Sequence, residues 1–223
     1  MNLVSLQSPP AVVRHLRGDE RALRTETGTK FVAVARDRQL VIRKLARNAK
    51  GAGAVVKLAP TERDDVDARR DLNALSAESQ PQIGGVTIGP APHASKLLSS
   101  DREAQRRFGI RWELLAAINF VESDFGRART TAKADAQGPM QFEPATWREY
   151  GMGGDVYNEH DAILAAANLL AANGGRTNER AALMHYNLSP LYWDAVLHLA
   201  HRMAIVPTAF REYYAWKLYV RKS

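Results

Sequence analysis

Glu122 stands where a carboxyl group could act as a proton donor. In the stretch that starts at Trp112, residues Leu115, Ile118 and Glu122 fall at i, i+3 and i+7, one face of a helix. That stripe faces the core, and Glu122 lies near the C-terminal end of the helix. Burial, the negative end of the helix dipole and apolar neighbours all disfavour the anion. The position predicts a raised pKa and a carboxylic acid still protonated near neutral pH. A general acid needs that form to protonate a leaving oxygen. The competing reading is a helix-end Glu that bends out to solvent past Gly126.

Two further groups have types suited to a carbohydrate site. Gly138-Pro-Met-Gln-Phe142 is a glycine-opened loop ahead of a helix, and it presents backbone groups and the Gln141 amide from a rigid turn. Tyr186-Asn187 sits at a helix end before Ser189-Pro190. A tyrosine hydroxyl can orient a neutral carboxyl, and an asparagine can bind an acetamido group. Taken alone, the loop reads equally as a plain turn, and Tyr186 as a core aromatic with a satisfied hydroxyl.

The elements that must hold these residues are nearly all helical. The linker-to-end half offers a helix near Asp101 opened by the capping-box spacing Ser100-Asp-Arg-Glu103 and ended by Gly109. Helices follow at Arg111 to Ser123, Pro144 to Tyr150, Asp161 to Gly174 with Asp161 as cap, Asn178 to Tyr186, Ser189-Pro190 to about Ala204, and Pro207 to about Val220. No convincing strand is predicted there. Upstream, residues 1–35 read as poorly ordered, broken by Ser8-Pro9-Pro10, Gly18 and Gly28, with Phe31–Ala35 as a short strand or helix start. Residues 36–77 read as a basic helical region, and 78–95 as a Pro/Gly linker and domain boundary. The expected fold class is mainly α, with the catalytic candidates in a domain over 96–223.

Of the 223 residues, 45% are apolar and 25% charged, ordinary globular usage. The net charge of +7 is placed unevenly: residues 1–60 hold 12 Lys and Arg against 4 Asp and Glu. Such an arm attracts polyanions. With no Cys, thiolate metal sites, disulfides and Cys nucleophiles are excluded. The 6 His are scattered, with no His-Glu-x-x-His pattern and no P-loop. The first 30 residues do not read as a signal peptide: Met1–Pro10 carries no Lys or Arg, and no long apolar run follows.

Three motifs in order carry a family likeness. Leu115–Gly126, Ala136–Trp147 and Tyr186-Asn187 together resemble the soluble lytic transglycosylase catalytic domain. This is the goose-type-lysozyme-like SLT fold, in the version common in actinobacteria. Gly153-Gly154-Asp155, Asp161-Ala-Ile163 and Tyr213-Tyr214-Ala-Trp216 resemble that version too, and the likeness spans about 96–220. It implies that Glu122 is catalytic acid and then base, and that Ser123 positions substrate or the carboxyl. It further implies that Gly138, Met140 and Gln141 shape the site, and that Tyr186 and Asn187 touch the catalytic Glu and substrate. Position 143 departs from the family, with Glu where an apolar residue, usually Met, is expected.

The resemblance also implies the reaction: cleavage of the β-1,4 bond between N-acetylmuramic acid and N-acetylglucosamine without water, closing a 1,6-anhydro ring. The attack is intramolecular, so a single carboxyl suffices where glycosidases use two. No metal or cofactor is expected. The expected partner is the peptidoglycan glycan strand, with no specific nucleic acid, and the expected location is the cell envelope or outside the cell. Asp124, two residues on, points to another helix face and is a poor second carboxylate; Asp135, Glu143 and Asp155 lie in loops. Three rival readings follow. One is a lysozyme-like muramidase using Glu143 to activate water. Another is a non-catalytic wall-binding protein. The third is a nucleic-acid binder driven by residues 1–60, where Phe31 is the only aromatic.

Overall fold

The computed structural model describes residues 8–78, 86–130 and 136–218. Among them the fold is mainly α, eleven helices and two short strands, with a basic, helical N-terminal region. The helices of that region are α1 (Pro9–Thr25), α2 (Gly28–Leu45), α3 (Ala49–Leu58) and α4 (Arg63–Glu78). The rest are α5 (Ala94–Phe108), α6 (Trp112–Ser123), α7 (Pro144–Tyr150), α8 (Glu159–Ala172), α9 (Glu179–Leu183), α10 (Pro190–Ile205) and α11 (Ala209–Ala215). Two three-residue strands, β1 (Val86–Ile88) and β2 (Ala128–Thr130), pair antiparallel with Thr87 opposite Arg129. No described helix is long and apolar enough to cross a membrane.

Of the stretch 1–35 expected to be poorly ordered, residues 1–7 lie outside the described residues and Pro9–Thr25 is helical. Pro9 and Pro10 fill the first turn of α1, where a missing N–H costs nothing. Val12, Val13 and Leu16 then bury one stripe against Val41, Ile42 and Leu45 of α2 and Val55 and Val56 of α3. That burial outweighs the roughly 1 kcal/mol cost of Gly18 inside a helix. Phe31–Ala35, left open as strand or helix, is the second turn of α2 onward.

The expected linker is also partly structured. Residues 79–85 lie outside the described residues. Beyond them the β-branched Val86-Thr87-Ile88 finds a partner 42 residues away, a non-local pairing invisible to local pattern. α5 begins at Ala94, so the expected capping box falls inside the helix. Ser100 there donates its hydroxyl to the Lys96 carbonyl at 3.1 Å instead of capping. α8 is capped by Asn158, whose Oδ1 accepts from the His160 and Asp161 amides, and not by Asp161.

The N-terminal helices pack on the rest. Phe31, Ala35 and Ala68 join the main core with Leu114, Leu115 and Ile118 of α6. α4 lies along α10 in the most extensive helix pair of the molecule. Between them sits a buried charge cluster. Arg38 of α2 donates to Glu62 at 2.5 Å, to Asp65 at 2.8 Å and to Glu212 at 2.8 Å. Tyr213 donates to Asp65 at 2.5 Å, and Arg202 lies 3.3 Å from the same carboxylate. Burial pushes Asp65 up, but Arg202 and Arg38 beside it hold its pKa below the ordinary value. Burial lifts Glu212 to about 7 against the pull of Arg38. Arg38 and Arg202 are thus set among the carboxyls of Glu62, Asp65 and Glu212, so the buried charges are paired with opposite partners.

Candidate active site

α6 delivers Glu122 because its inner face is apolar: Leu115 and Ile118 are fully buried at 0% exposure, and Glu122 follows them one turn later at the rim. The helix then stops abruptly. Asp124, Phe125 and Gly126 take left-handed φ values of 52°, 61° and 78° in succession, which turns the chain away and leaves the Glu122 carboxyl at the helix end.

Ser123 ties this end to the Gly138 loop. Its hydroxyl donates to the Pro139 carbonyl at 2.6 Å and accepts from the Gly126 amide at 2.8 Å. The likeness implied that Ser123 positions substrate or the carboxyl; at 1% exposure its hydroxyl is engaged with the loop and the Gly126 amide from within. Gly138 has φ +71°, and a Cβ there would sit 1.9 Å from the Val156 carbonyl oxygen, so only glycine fits. Met140 is wholly buried and contributes its carbonyl, which accepts from the Tyr186 hydroxyl at 2.7 Å. Gln141, left-handed at φ 50°, donates its amide to the Gly138 carbonyl at 2.6 Å.

The residue on Glu122 is Tyr192. Its hydroxyl donates to Glu122 Oε1 at 2.6 Å. Tyr186, expected in that place, stacks on Tyr192 with ring centroids 6.3 Å apart and planes 9° apart, and sends its hydroxyl to Met140. The only sequence signal for Tyr192 was its seat in the first turn of α10, just beyond Ser189-Pro190. Burial raises the Glu122 pKa to about 7, with the Tyr192 hydrogen bond pulling the other way. Burial and the nearby Glu122 both push Tyr192 well above its ordinary value, so it stays a donor.

Glu122 opens onto an extended groove of about 510 Å³, also lined by Gln141, Glu143, Tyr186 and Asn187. Asn187 is held by its own turn, its Oδ1 accepting from the Ser189 amide at 2.9 Å. Glu143 is exposed at the start of α7 on the groove wall. Asp124 is turned from the groove toward Arg127, 3.5 Å away, and burial lifts its pKa to about 7. Asp155 serves a local turn by accepting from the Tyr157 amide; Asp135 lies outside the described residues. Among the described residues, the one His/Asp group close enough to hold a metal ion is His15, Asp19 and Asp37, on α1 and α2. His15 Nε2 to Asp37 Oδ2 at 2.7 Å reads there as a histidine–carboxylate pair.

Residues 99–194 match the family model of the transglycosylase SLT domain, a span that takes in Glu122, the Gly138 loop, Tyr186 and Tyr192. This segment is a transglycosylase SLT domain. Lytic transglycosylase activity on peptidoglycan goes with the SLT domain, and the cell wall is where such domains act. The match leaves α1–α4 and α11 outside the SLT segment. No curated protein and no solved structure matches the chain.

Proposed function

We propose that the protein cleaves the β-1,4 bond between N-acetylmuramic acid and N-acetylglucosamine in peptidoglycan strands, leaving 1,6-anhydro-muramyl ends, with Glu122 as acid and then base. The observation that carries this reading is a carboxyl held at about 7 at the rim of a groove and oriented by Tyr192 at 2.6 Å.

Because Oε1 accepts from Tyr192, the acid proton belongs on Oε2. From there it passes to the glycosidic oxygen as the bond to the muramyl carbon breaks. The carboxylate so formed is the species that the Tyr192 hydrogen bond favours. It then takes the proton of the muramyl 6-hydroxyl, whose oxygen closes the anhydro ring. Both proton movements use one carboxyl, and the nucleophile is already tethered to the sugar, so orientation replaces a positioned water. We assign the acetamido and hydroxyl groups of the substrate to Gln141 and Asn187, which line the groove. The envelope or the extracellular space is the setting this substrate requires.

The muramidase reading keeps one observation in its favour: Glu143 lines the same groove as Glu122. Mass spectrometry of the muropeptides released from purified wall separates the two. Anhydro ends are expected. Reducing muramic ends that disappear in Glu143→Gln would establish hydrolysis instead.

A further inference from the structure

Glu122 has a second open side. Behind it lies a separate cavity of about 220 Å³, walled by Gln39 and Arg43 of α2, Arg69 of α4, Lys217 after α11, and Asp124. We propose that this cavity is a subsite for a carboxylate carried by the muramyl side arm of the glycan strand, and that the N-terminal helices supply its cations. The proposal rests on the reading of Glu122 as the cleavage site, because Glu122 lines both the groove and this cavity.

The charge arrangement calls for an anion. Arg43, Arg69 and Lys217 bring three cationic side chains to one small space. The carboxyls among the described lining residues are Glu122 and Asp124, which burial raises to about 7. The Arg69 Nε is buried with no hydrogen-bond partner. Burial, and after it the repulsion of Arg43, pull the Arg69 pKa down to about 10. A buried guanidinium with an unused donor beside a second guanidinium is a costly arrangement that an incoming carboxylate relieves.

The site is built rather than incidental. The Gln39 amide clasps the Lys217 backbone from both sides, accepting from its N–H at 2.9 Å and donating to its carbonyl at 2.9 Å. The Arg69 guanidinium lies 6.0 Å over the Trp216 ring. Leu72 and Phe120 add an apolar surface suited to the methyl groups that flank such a carboxylate in a lactyl or alanyl unit. Gln39, Arg43, Arg69 and Lys217 all lie outside the SLT match, so the cationic wall of the subsite is an addition made by this chain's own flanks.

Two carboxylates share this chemistry: the lactyl group of muramic acid itself and the end of the attached peptide. Calorimetric titration of the full chain distinguishes them with N-acetylmuramic acid, muramyl dipeptide and the carboxamide of each. None of these four has a glycosidic bond to cleave, so binding is read apart from catalysis. The acids are expected to bind at least tenfold more tightly than their amides. Arg43→Gln and Lys217→Ala, both at the cavity edge, are expected to remove most of that preference; Arg69→Gln adds a third readout if it folds. Preference for the acid of muramic acid alone assigns the lactyl source, and for that of the dipeptide alone the peptide source. Equal binding of acids and amides, or a preference unchanged in Arg43→Gln and Lys217→Ala, overturns the subsite. It would do so even if wall cleavage with anhydro ends were demonstrated, and the subsite would equally survive the finding that the products are hydrolytic.

Discussion

Tyr192 donates its hydroxyl to Glu122 across 70 positions of sequence, at 2.6 Å. The hydrogen bond works against burial: it favours the carboxylate while the apolar surround favours the acid. The carboxyl is thereby held at about 7, where it can both give and accept a proton.

Glu122→Gln keeps the shape and removes the acid. Release of muropeptides from purified wall is expected to fall by roughly 10²–10⁴. More than about a tenth of the wild-type rate remaining in the variant would dismiss Glu122 as the acid.

Tyr192→Phe and Tyr186→Phe are expected to differ in kind. Loss of the Tyr192 hydroxyl removes the influence that lowers the Glu122 pKa, so that pKa climbs above about 7. The alkaline limb of the rate profile, where the acid loses its proton, then moves to higher pH while the rate falls. Tyr186→Phe frees only the Met140 carbonyl, so it is expected to lower stability by about 1 kcal/mol and leave the limb in place. Identical pH profiles for the two variants would contradict this assignment of roles.

Gly138→Ala is expected to be severe. The added Cβ meets the Val156 carbonyl oxygen at 1.9 Å in a left-handed backbone, and the obstacle is main chain. Thermal unfolding is the measure, with a drop on the order of 10 °C, corresponding to about 3–4 kcal/mol in a chain of this size.

Asp101 is buried at 1% exposure with neither carboxyl oxygen partnered, and burial raises its pKa well above the ordinary 3.8. The folded form keeps the proton, whereas the unfolded form releases it above about 3.8. Stability from this group is therefore lost as pH rises through the unfolded value and beyond. Asp101→Asn is expected to match wild type in denaturant midpoint at pH 3 and to exceed it at pH 8. A gap that fails to widen between those pH values would show that Asp101 is ionised in the fold.

The domain boundary expected over 78–95 does not divide the core, which takes in residues from both sides of it. Removing the first 90 residues takes Arg38 from Glu212, Asp65 from Arg202 and Tyr213, and Phe31, Ala35 and Ala68 out of the core. We expect a fragment starting at Ala91 to be unfolded. In the full chain, Arg38→Met is expected to cost about 3–5 kcal/mol, since three buried carboxyls lose their shared cation. Cooperative unfolding of the fragment at wild-type temperature would restore the boundary.

What the sequence made legible was local. The helical period puts Leu115, Ile118 and Glu122 on one inward stripe near the helix end, and Gly138 opens a turn ahead of the next helix. What escaped it was non-local or ambiguous. Gly18 looked like a breaker until α2 and α3 offered α1 a surface to cover. Ser100 and Glu103 have the spacing of a cap but sit within a longer helix. β1 exists only because β2 lies beside it. Tyr186 is the partner that the sequence suggests for the carboxyl, and only the approach of α10 to α6 puts Tyr192 there instead.

The buried cluster around Arg38 also sets a timetable. Arg38 and Glu212 are 174 residues apart. At a synthesis rate of about 5–20 residues per second, Arg38 emerges roughly 10–35 s before its last partner. Until then its guanidinium stays hydrated, and α2 has no finished seat. The cluster is thus incomplete until Glu212 has been made, and α2 gains its full set of partners only after α11 has followed.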